Sequence, residues 1–296
     1  MVSILIPTYN YNVFPLVQKL WEQCREQEIE FEILCQDDGS QSLQNIENNQ
    51  ILTLSNCHFY INEQNIGRGK NINSLYKKSQ YEWLLILDCD VMPISDNFIA
   101  NYLKALKNPE LSVCYGGIKY EKQRPSNNYI LRWVYGKKRE SLSAEKRALK
   151  PYQSSLTSNL LISTEVFKDN RFSAIITKYG FEDLVFFHDL KLKNIAIFHI
   201  ENPAMHINID NSKVFLSKTK TGIENLDYLT NFEMVKGENR ILQQFAIVEK
   251  YGLTKTVSQL FSYFKKDMEI NLLSENPSMT VFDLYRLGYF SKLKQQ

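Results

Sequence analysis

The chain has 296 residues, of which 44% are hydrophobic and 23% are charged, so it can bury the core of one large domain or of a domain with a smaller annex. This composition excludes intrinsic disorder and fibrous repeats. With 35 Lys and Arg against 33 Asp and Glu, the formal net charge is only +2, which excludes a surface that as a whole matches the backbone of a nucleic acid.

The cysteines and the lengths of the apolar runs bear on the cellular compartment of the protein. There are five cysteines, an odd number without CxxC spacing, and most lie in apolar runs, which is typical of buried thiols in a reducing environment. No apolar run approaches the roughly 18 to 20 residues that cross a membrane, and the chain opens on a strand-like run rather than on a basic and apolar leader. We therefore expect a cytoplasmic protein that does not span a membrane.

The first part of the chain predicts strands that alternate with helices. Residues 2–6 form a β-branched run that ends at Pro7. Residues 13–27 then have the periodicity of an amphipathic helix, and residues 31–35 form a second apolar run. This order predicts a βαβ unit.

The alternation continues up to residue 87. We expect a strand at residues 58–61, a helix at 69–79 and a buried strand at 83–87. Strands and helices at this spacing predict a doubly wound, mostly parallel α/β sheet flanked by helices. The ligand site of such a sheet lies beyond the carboxyl ends of its strands.

Residues 119–150 differ in composition from the rest of the chain. They include ten basic and three acidic residues, a local balance of +7, interleaved with Tyr and Trp. Three interpretations stay open for such a run: a solvated surface, a lid over an anionic ligand, or a patch that meets an anionic membrane.

The C-terminal part of the chain predicts helices rather than strands. Helical periodicity is clearest at residues 239–250 and 254–266. We therefore predict a domain at 1–211 that contains the basic insert, and a helical C-terminal annex at 212–296.

Five short sequence motifs follow one another along the chain. They are Ser3-Ile4-Leu5-Ile6-Pro7-Thr8-Tyr9-Asn10, Asp37-Asp38-Gly39-Ser40, Asn65-Ile66-Gly67-Arg68, Leu87-Asp88-Cys89-Asp90 and Gly180-Phe181-Glu182-Asp183. In these motifs the chain resembles family 2 glycosyltransferases, over about residues 1 to 210. The resemblance implies a GT-A fold that binds a nucleotide-diphosphate sugar and a divalent metal.

Asp88 and Asp90 are the first candidate metal ligands. Two carboxylates at positions i and i+2 beyond a buried strand share one face and can address one cation, and such hard oxygen ligands suit Mg²⁺ or Mn²⁺ on a diphosphate. The alternative is a pair of turn carboxylates that cap the following residues, 91–93.

The resemblance also implies a nucleotide site. In the family, an aspartate of the motif at residues 37–40 accepts a hydrogen bond from the nucleobase, and the turn after the first strand flanks the base. Asp and Ser are also favoured caps of turns and helices, so a structural role stays open, and the sequence does not decide between the two aspartates. The nucleotide-contacting residues implied are Pro7, Thr8, Tyr9, Asp37, Asp38, Arg68 and Asp88.

Glu182 and Asp183 precede an apolar helical run. By themselves they are an acidic first turn that interacts with the helix dipole. In the family, the second carboxylate of this pair is the general base, and an inverting displacement needs a base because the attacking hydroxyl must lose its proton. The resemblance therefore implies Asp183 as the base and Glu182 as an acceptor-binding partner.

His206 is the third candidate metal ligand. It follows a strand-like run at residues 195–200, at a place where many GT-A enzymes have a histidine that completes the metal shell, and imidazole is an acceptable Mn²⁺ ligand. The other histidines lie in apolar patterns and are expected to be structural.

These expectations describe a metal-dependent, inverting glycosyltransferase of hexosyl or N-acetylhexosaminyl type, with a UDP-sugar as donor and Mn²⁺ or Mg²⁺ as cofactor. The partners implied are a nucleotide sugar and a glycan or lipid-linked acceptor in surface polysaccharide or glycolipid assembly, without a nucleic acid. Peripheral contact with the inner face of the membrane through residues 119–150 is part of the same expectation.

Two alternatives stay open. A sugar-nucleotide pyrophosphorylase would normally have a Gly-rich, Arg-containing loop after the first strand, where this chain has Pro7-Thr8-Tyr9-Asn10. A non-catalytic protein that binds a nucleotide sugar or a glycan is the other, and intact Asp88, Asp90 and Asp183 argue against it.

Overall fold

The computed structural model describes residues 1–173, 175–176, 180–235, 237 and 239–295. The chain divides into two compact units. The first comprises Met1–Glu121, Glu140–Thr177 and Asp189–Asn208, and the second comprises Lys122–Arg139, Lys178–His188 and Ile209–Gln296. Most of the predicted basic insert therefore belongs to the second unit, and the division into domains at residue 211 stays a prediction.

The first unit contains two sheets. Its strands are β1 Val2–Thr8, β2 Phe31–Asp37, β3 Cys57–Ile61, β4 Trp83–Leu87, β5 Val91–Pro93, β6 Val113–Tyr115, β7 Ile118–Tyr120, β8 Asn159–Ser163, β9 Phe198–His199 and β10 Ala204–His206. In the described part of the chain they form a seven-stranded sheet of order β3-β2-β1-β4-β8-β6-β9 and a three-stranded sheet of order β5-β10-β7. The four strands β3, β2, β1 and β4 are mutually parallel, β8 is antiparallel to both its neighbours, and β9 is parallel to β6. The predicted doubly wound, mostly parallel sheet is confirmed.

The helices, in chain order, are α1 Phe14–Glu26, α2 Gln44–Asn48, α3 Arg68–Tyr76, α4 Phe98–Ala105, α5 Ile130–Tyr135, α6 Ala144–Ala148, α7 Thr164–Asp169, α8 Glu182–Leu192, α9 Ser212–Asn231, α10 Arg240–Lys250, α11 Thr254–Leu272 and α12 Met279–Leu293. Short 3₁₀ turns occupy Asn49–Thr53 and Asn127–Tyr129, and a π-helical turn occupies Gly136–Glu140.

The core of the first unit explains why β1 and β2 are buried along their whole length. Both strands lie inside a parallel sheet whose faces are covered, so their apolar residues need not alternate with polar ones. On one face α1 packs Leu16, Val17 and Leu20 into a cluster with Ile4 and Ile33 of the sheet. The apolar spacing of α1 thus fixes which side of the helix faces the sheet.

The second unit is helical. It contains α5 and α9 to α12, and the most extensive packing between its helices is that of α11 against α12. The buried residues of one cluster in this unit are Leu131, Leu216, Phe261, Leu272, Met279, Phe282 and Tyr285. The predicted helical C-terminal region is confirmed, and α5 from the basic insert shares its core.

Within the described ranges of the chain, no helix is both long enough and apolar enough to cross a membrane.

Candidate active site

Three parallel strands end side by side at one edge of the seven-stranded sheet. Thr8 of β1 stands opposite Asp37 of β2, and the N–H of Asp38 donates to the carbonyl of Thr8 at 2.8 Å. β4 pairs with the other side of β1 and ends at Leu87, directly before Asp88. The predicted nucleotide-contacting residues of these strands therefore come to the edge at which doubly wound sheets bind ligands.

Asp37 and Asp38 are buried and hold the loops of this edge in place. Asp37 accepts hydrogen bonds from the N–H of Ser40 at 2.9 Å and from its hydroxyl at 2.6 Å. Asp38 accepts from the N–H of Ile66 at 3.0 Å and of Gly67 at 2.8 Å. The turn contact that the sequence allowed is thus made by Asp37, and the base contact stays a prediction for both residues.

Arg68 and Asp88 form an ion pair beside these loops. α3 begins at Arg68, immediately after Gly67, whose φ of 90° suits only glycine. The guanidinium donates from Nε at 2.8 Å and from Nη2 at 2.5 Å to Oδ1 of Asp88. The N–H of Asp88 donates to the carbonyl of Ser158 at 3.2 Å. The hydrogen bonds that Asp38 accepts therefore fix the start of α3, and α3 places the guanidinium of Arg68 beside Asp88.

Asp90 and His206 are brought together by the three-stranded sheet. β5 starts directly after Asp90 and is antiparallel to β10, with Val91 opposite His206. The N–H of Ile207 donates to the carbonyl of Asp90 at 3.0 Å, which extends this pairing. As a result, Oδ2 of Asp90 lies 3.6 Å from Nε2 of His206, and both side chains are largely but not fully buried. Two of the three predicted metal ligands thus meet.

The residue types at this place fit a divalent metal that is only partly held by protein. No group of three or more His, Cys, Asp or Glu among the described residues could hold a metal ion alone. The 3.6 Å between the Asp90 and His206 atoms is near the separation of about 3.0 to 3.4 Å for two adjacent ligands of one ion. Mg²⁺ usually takes one or two carboxylates and completes its shell with water and substrate phosphates. The pair therefore suits Mg²⁺ or Mn²⁺ bound together with a diphosphate.

Two neighbouring groups have raised pKa values. Burial raises the pKa of the Cys89 thiol well above its usual range, and the negative charges of Asp90 and Asp88 raise it further. Burial, together with the charge of Asp90, raises the pKa of Tyr11 to about 12, so its hydroxyl remains a hydrogen-bond donor. The sequence reasoning missed Tyr11, although it directly follows the motif that ends at Asn10.

The sequence profile described as Glycosyl transferase family 2 matches residues 3–171, more than half of the chain. The chain belongs to this glycosyltransferase family. No curated protein sequence matches it. The family match includes the strand edge, Arg68, Asp88 and Asp90, but it ends before Glu182 and His206, whose roles stay predictions.

Solved structures of other glycosyltransferases have the same fold. The mannosyltransferase PcManGT of Pyrobaculum calidifontis, in complex with GDP-Man and Mn²⁺, is 12% identical with a TM-score of 0.56, over 99% of this chain and 86% of that one. Glucosyl-3-phosphoglycerate synthase of Mycobacterium tuberculosis, with Mn²⁺, UDP and glucosyl-3-phosphoglycerate, is 14% identical with a TM-score of 0.53, over 80% and 81%. S. aureus TarS 1–349 with UDP-GlcNAc is 17% identical with a TM-score of 0.50, over 100% and 92%. The predicted GT-A fold is confirmed.

In this family 2 chain, Glu182 and Asp183 form the first turn of α8, in the second unit. Two positive backbone φ angles, 96° at Gly180 and 66° at Phe181, turn the chain into the helix. The carbonyl of Gly180 accepts a hydrogen bond from the side-chain amide of Asn225. Both carboxylates therefore occupy the position at which the helix dipole stabilises them, and the turn that presents them is fixed within the second unit.

Some cations of the basic insert contact other residues of the second unit, and others face solvent. Lys137 lies over the ring of Trp133, 4.6 Å from its centroid, and Lys137 and Lys138 are exposed. Arg139 pairs at 2.7 Å with Asp283, whose side chain is only 9% exposed. Of the three adjacent cations, two therefore face solvent and one is a structural partner inside the second unit.

Proposed function

We propose that the protein is a metal-dependent, inverting glycosyltransferase that transfers a sugar from a nucleotide-diphosphate donor to a hydroxyl group. One observation carries the proposal. In a family 2 chain, the pair Asp90 and His206 stands just beyond the strand edge where Arg68 binds Asp88. A carboxylate and an imidazole poised for a cation, with a guanidinium nearby, suit the charge of a nucleoside diphosphate.

The nucleotide of the donor would lie along the carboxyl edge of β1 and β2. Tyr9 is 55% exposed there and offers an aromatic face to a base, beside Pro7 and Thr8. The loops that Asp37 and Asp38 hold would form the floor of this site. UDP and UDP-GlcNAc are bound in two of the solved relatives and GDP-Man in the third, and we propose a UDP-sugar of hexose or N-acetylhexosamine type.

Asp90 and His206 would hold Mn²⁺ or Mg²⁺, which when bound neutralises the charge of the departing nucleoside diphosphate. Arg68 would add a second positive charge on the same side, and its contact with Asp88 keeps both groups oriented before the donor arrives. Asp88 would face the ribose or the metal from this fixed position.

Asp183 would act as the general base, and Glu182 as its partner in binding the acceptor. An inverting displacement proceeds in one step, in which the acceptor hydroxyl attacks the anomeric carbon and loses its proton to a carboxylate. The fixed first turn of α8 supports this assignment because a base must be held in place to act.

For the acceptor we propose a glycan or a lipid-linked sugar in surface polysaccharide or glycolipid assembly. The exposed lysines at 137 and 138 support a peripheral contact with an anionic membrane, and hence a cytoplasmic site of action at its inner face.

The test is a screen of nucleotide sugars against the purified chain, with and without Mn²⁺. We expect one UDP-sugar to raise the melting temperature in the presence of Mn²⁺, because a ligand of the native state stabilises it. Slow hydrolysis of the same donor should accompany this stabilisation. Stabilisation without hydrolysis or transfer to any acceptor would identify a non-catalytic binding protein, and the absence of any metal-dependent effect would refute the proposal.

A further inference from the structure

The imidazole of His206 has an aromatic neighbour on the strand beside it. In the three-stranded sheet, β10 is parallel to β7, and Tyr120 stands directly opposite His206. The two rings are stacked, with centroids 5.3 Å apart and an angle of 17° between their planes. Tyr120 is only 4% exposed, so its ring forms a buried wall beside the candidate metal position.

Stacking matters here because, among the described residues, His206 does not have the support that a metal-binding histidine usually has. Such a histidine nearly always donates its second ring N–H to a carboxylate, a carbonyl or water, which fixes the orientation of the ring. Nδ1 of His206 is buried and has no hydrogen-bond partner among the described residues. Packing is therefore the support that the described residues give to the orientation of Nε2 toward Asp90.

The Tyr120 ring is itself held. Its hydroxyl donates a hydrogen bond to Oε2 of Glu140, the last residue of the π-helical turn. A buried phenol needs such a partner, and a carboxylate is a strong acceptor. Glu140 thus keeps the ring from turning away from His206.

We infer that Tyr120, held by Glu140, is a positioning residue that orients His206 as a ligand of the divalent metal that accompanies the donor. The inference rests on the proposed function, because it assumes that Asp90 and His206 bind a metal. It adds to that function a residue pair that would act through His206, by setting the direction of this ligand.

The first test follows the histidine directly, without metal. The chain has four histidines, so their ring signals can be resolved by NMR, and His206→Gln assigns the signal of interest. In wild type the stacked tyrosine should shift this signal upfield. Tyr120→Leu should move it toward the position of an unstacked histidine, whereas Tyr120→Phe, which keeps the ring but loses the hydrogen bond to Glu140, should move it less. An unchanged signal in Tyr120→Leu would overturn the inference.

The second test measures Mn²⁺ affinity in the presence of UDP, by electron paramagnetic resonance of free Mn²⁺. Loss of an outer partner of a metal ligand typically costs about 10- to 100-fold in affinity. We expect Tyr120→Leu to fall in this range and Tyr120→Phe, which keeps the ring but loses the hydrogen bond to Glu140, to lose less. Glu140→Gln should lose least, because its amide oxygen still accepts that hydrogen bond. Should Tyr120→Leu fail to fold, Tyr120→Met fills much of the same volume without an aromatic face.

The chain offers a matched control. Tyr60 of β3 also stacks on a histidine, His58, with centroids 6.1 Å apart and an angle of 12°. Tyr60→Leu should move the His58 signal and leave Mn²⁺ affinity unchanged. Equal loss of affinity in Tyr60→Leu and Tyr120→Leu would show a general loss of stability and overturn the inference.

Failure of the inference and failure of the proposed function give different results. If wild type binds Mn²⁺ with UDP and Tyr120→Leu retains that affinity, only the positioning role is wrong. If wild type itself binds no Mn²⁺ with any UDP-sugar, the proposed metal site is wrong before any variant is compared, and the positioning role falls with it.

Discussion

Asp90→Ala should separate metal binding from folding. The carboxylate of Asp90 faces His206 at 3.6 Å, and its side chain is 29% exposed. The main-chain contact that anchors this residue, the Ile207 N–H to the Asp90 carbonyl, does not involve the side chain. We therefore expect the free energy of unfolding to change by less than about 1 kcal/mol.

The loss of metal binding should be much larger. Only Asp90 and His206, among the described residues, converge at the candidate metal position. Removing a partner of a ligand costs about 10- to 100-fold in metal affinity, so removing a direct ligand should cost at least about 100-fold. That corresponds to about 2.7 kcal/mol.

Calorimetry of UDP binding with and without Mn²⁺ measures this effect. Asp96→Ala is the control, because the Asp96 side chain is 95% exposed and forms an ion pair with Lys19. Its Mn²⁺-dependent binding should equal that of wild type. The reasoning is refuted if Asp90→Ala binds UDP with the Mn²⁺ dependence of the unaltered protein.

Three other expectations can be measured independently. Asp183→Asn should lower kcat at least about 100-fold with donor affinity within about twofold, because an amide cannot take a proton; wild-type turnover would move the role to the preceding carboxylate. Gly117→Ala should destabilise more than Gly67→Ala in urea unfolding. Both glycines have φ near 90°, where backbone strain costs about 1 to 3 kcal/mol, but only a Cβ at Gly117 would also meet the guanidinium of Arg147. Replacing the exposed lysines at 137 and 138 by Gln should weaken association with anionic vesicles about 30-fold at low salt, at about 1 kcal/mol per lysine, and leave UDP binding unchanged; weaker UDP binding instead would identify a lid.

The sequence predicted those elements whose signals are local. β4 has its predicted bounds, 83–87, because five apolar residues stand between Glu82 and Asp88, and polar side chains mark both ends. α1 was predicted at 13–27 and occupies Phe14–Glu26, where Pro15 in its first turn marks the start.

Elements that depend on distant partners were predicted less well. The strand-like run at 195–200 forms only the two-residue β9. Two residues of β6, Cys114 and Tyr115, pair with it. At the start of the run, the N–H of Ile195 instead donates to the carbonyl of Leu190 at the end of α8. The membership of residues 122–139 in the second unit likewise depends on helices far along the chain, such as the one that bears Asp283. Periodicity within a segment does not contain this information.

The candidate site shows the same division. The sequence placed Asp88 and Asp90 beyond a buried strand, where they are, but the i, i+2 argument gave both the same direction. The chain leaves β4 at Leu87, and the carbonyl of Asp88 accepts from the N–H of Val91 in a turn, so the two carboxylates take different partners. The i, i+2 spacing does not predict this turn, because it assumes that the strand continues past Leu87.

The different partners of the two aspartates have a consequence for the order of binding. Asp88 is engaged by Arg68, so the proposed site would present one carboxylate and one imidazole to a cation rather than a closed cage. A hard divalent ion needs about six ligands, and the missing ones must come from water and from the diphosphate. Free metal should therefore bind weakly and bind more tightly once the nucleotide is present. Because coupling between two ligands is reciprocal, the nucleotide must bind more tightly with the metal by the same factor. In the proposed site, which is incomplete without its substrate, donor binding and metal binding would therefore be coupled.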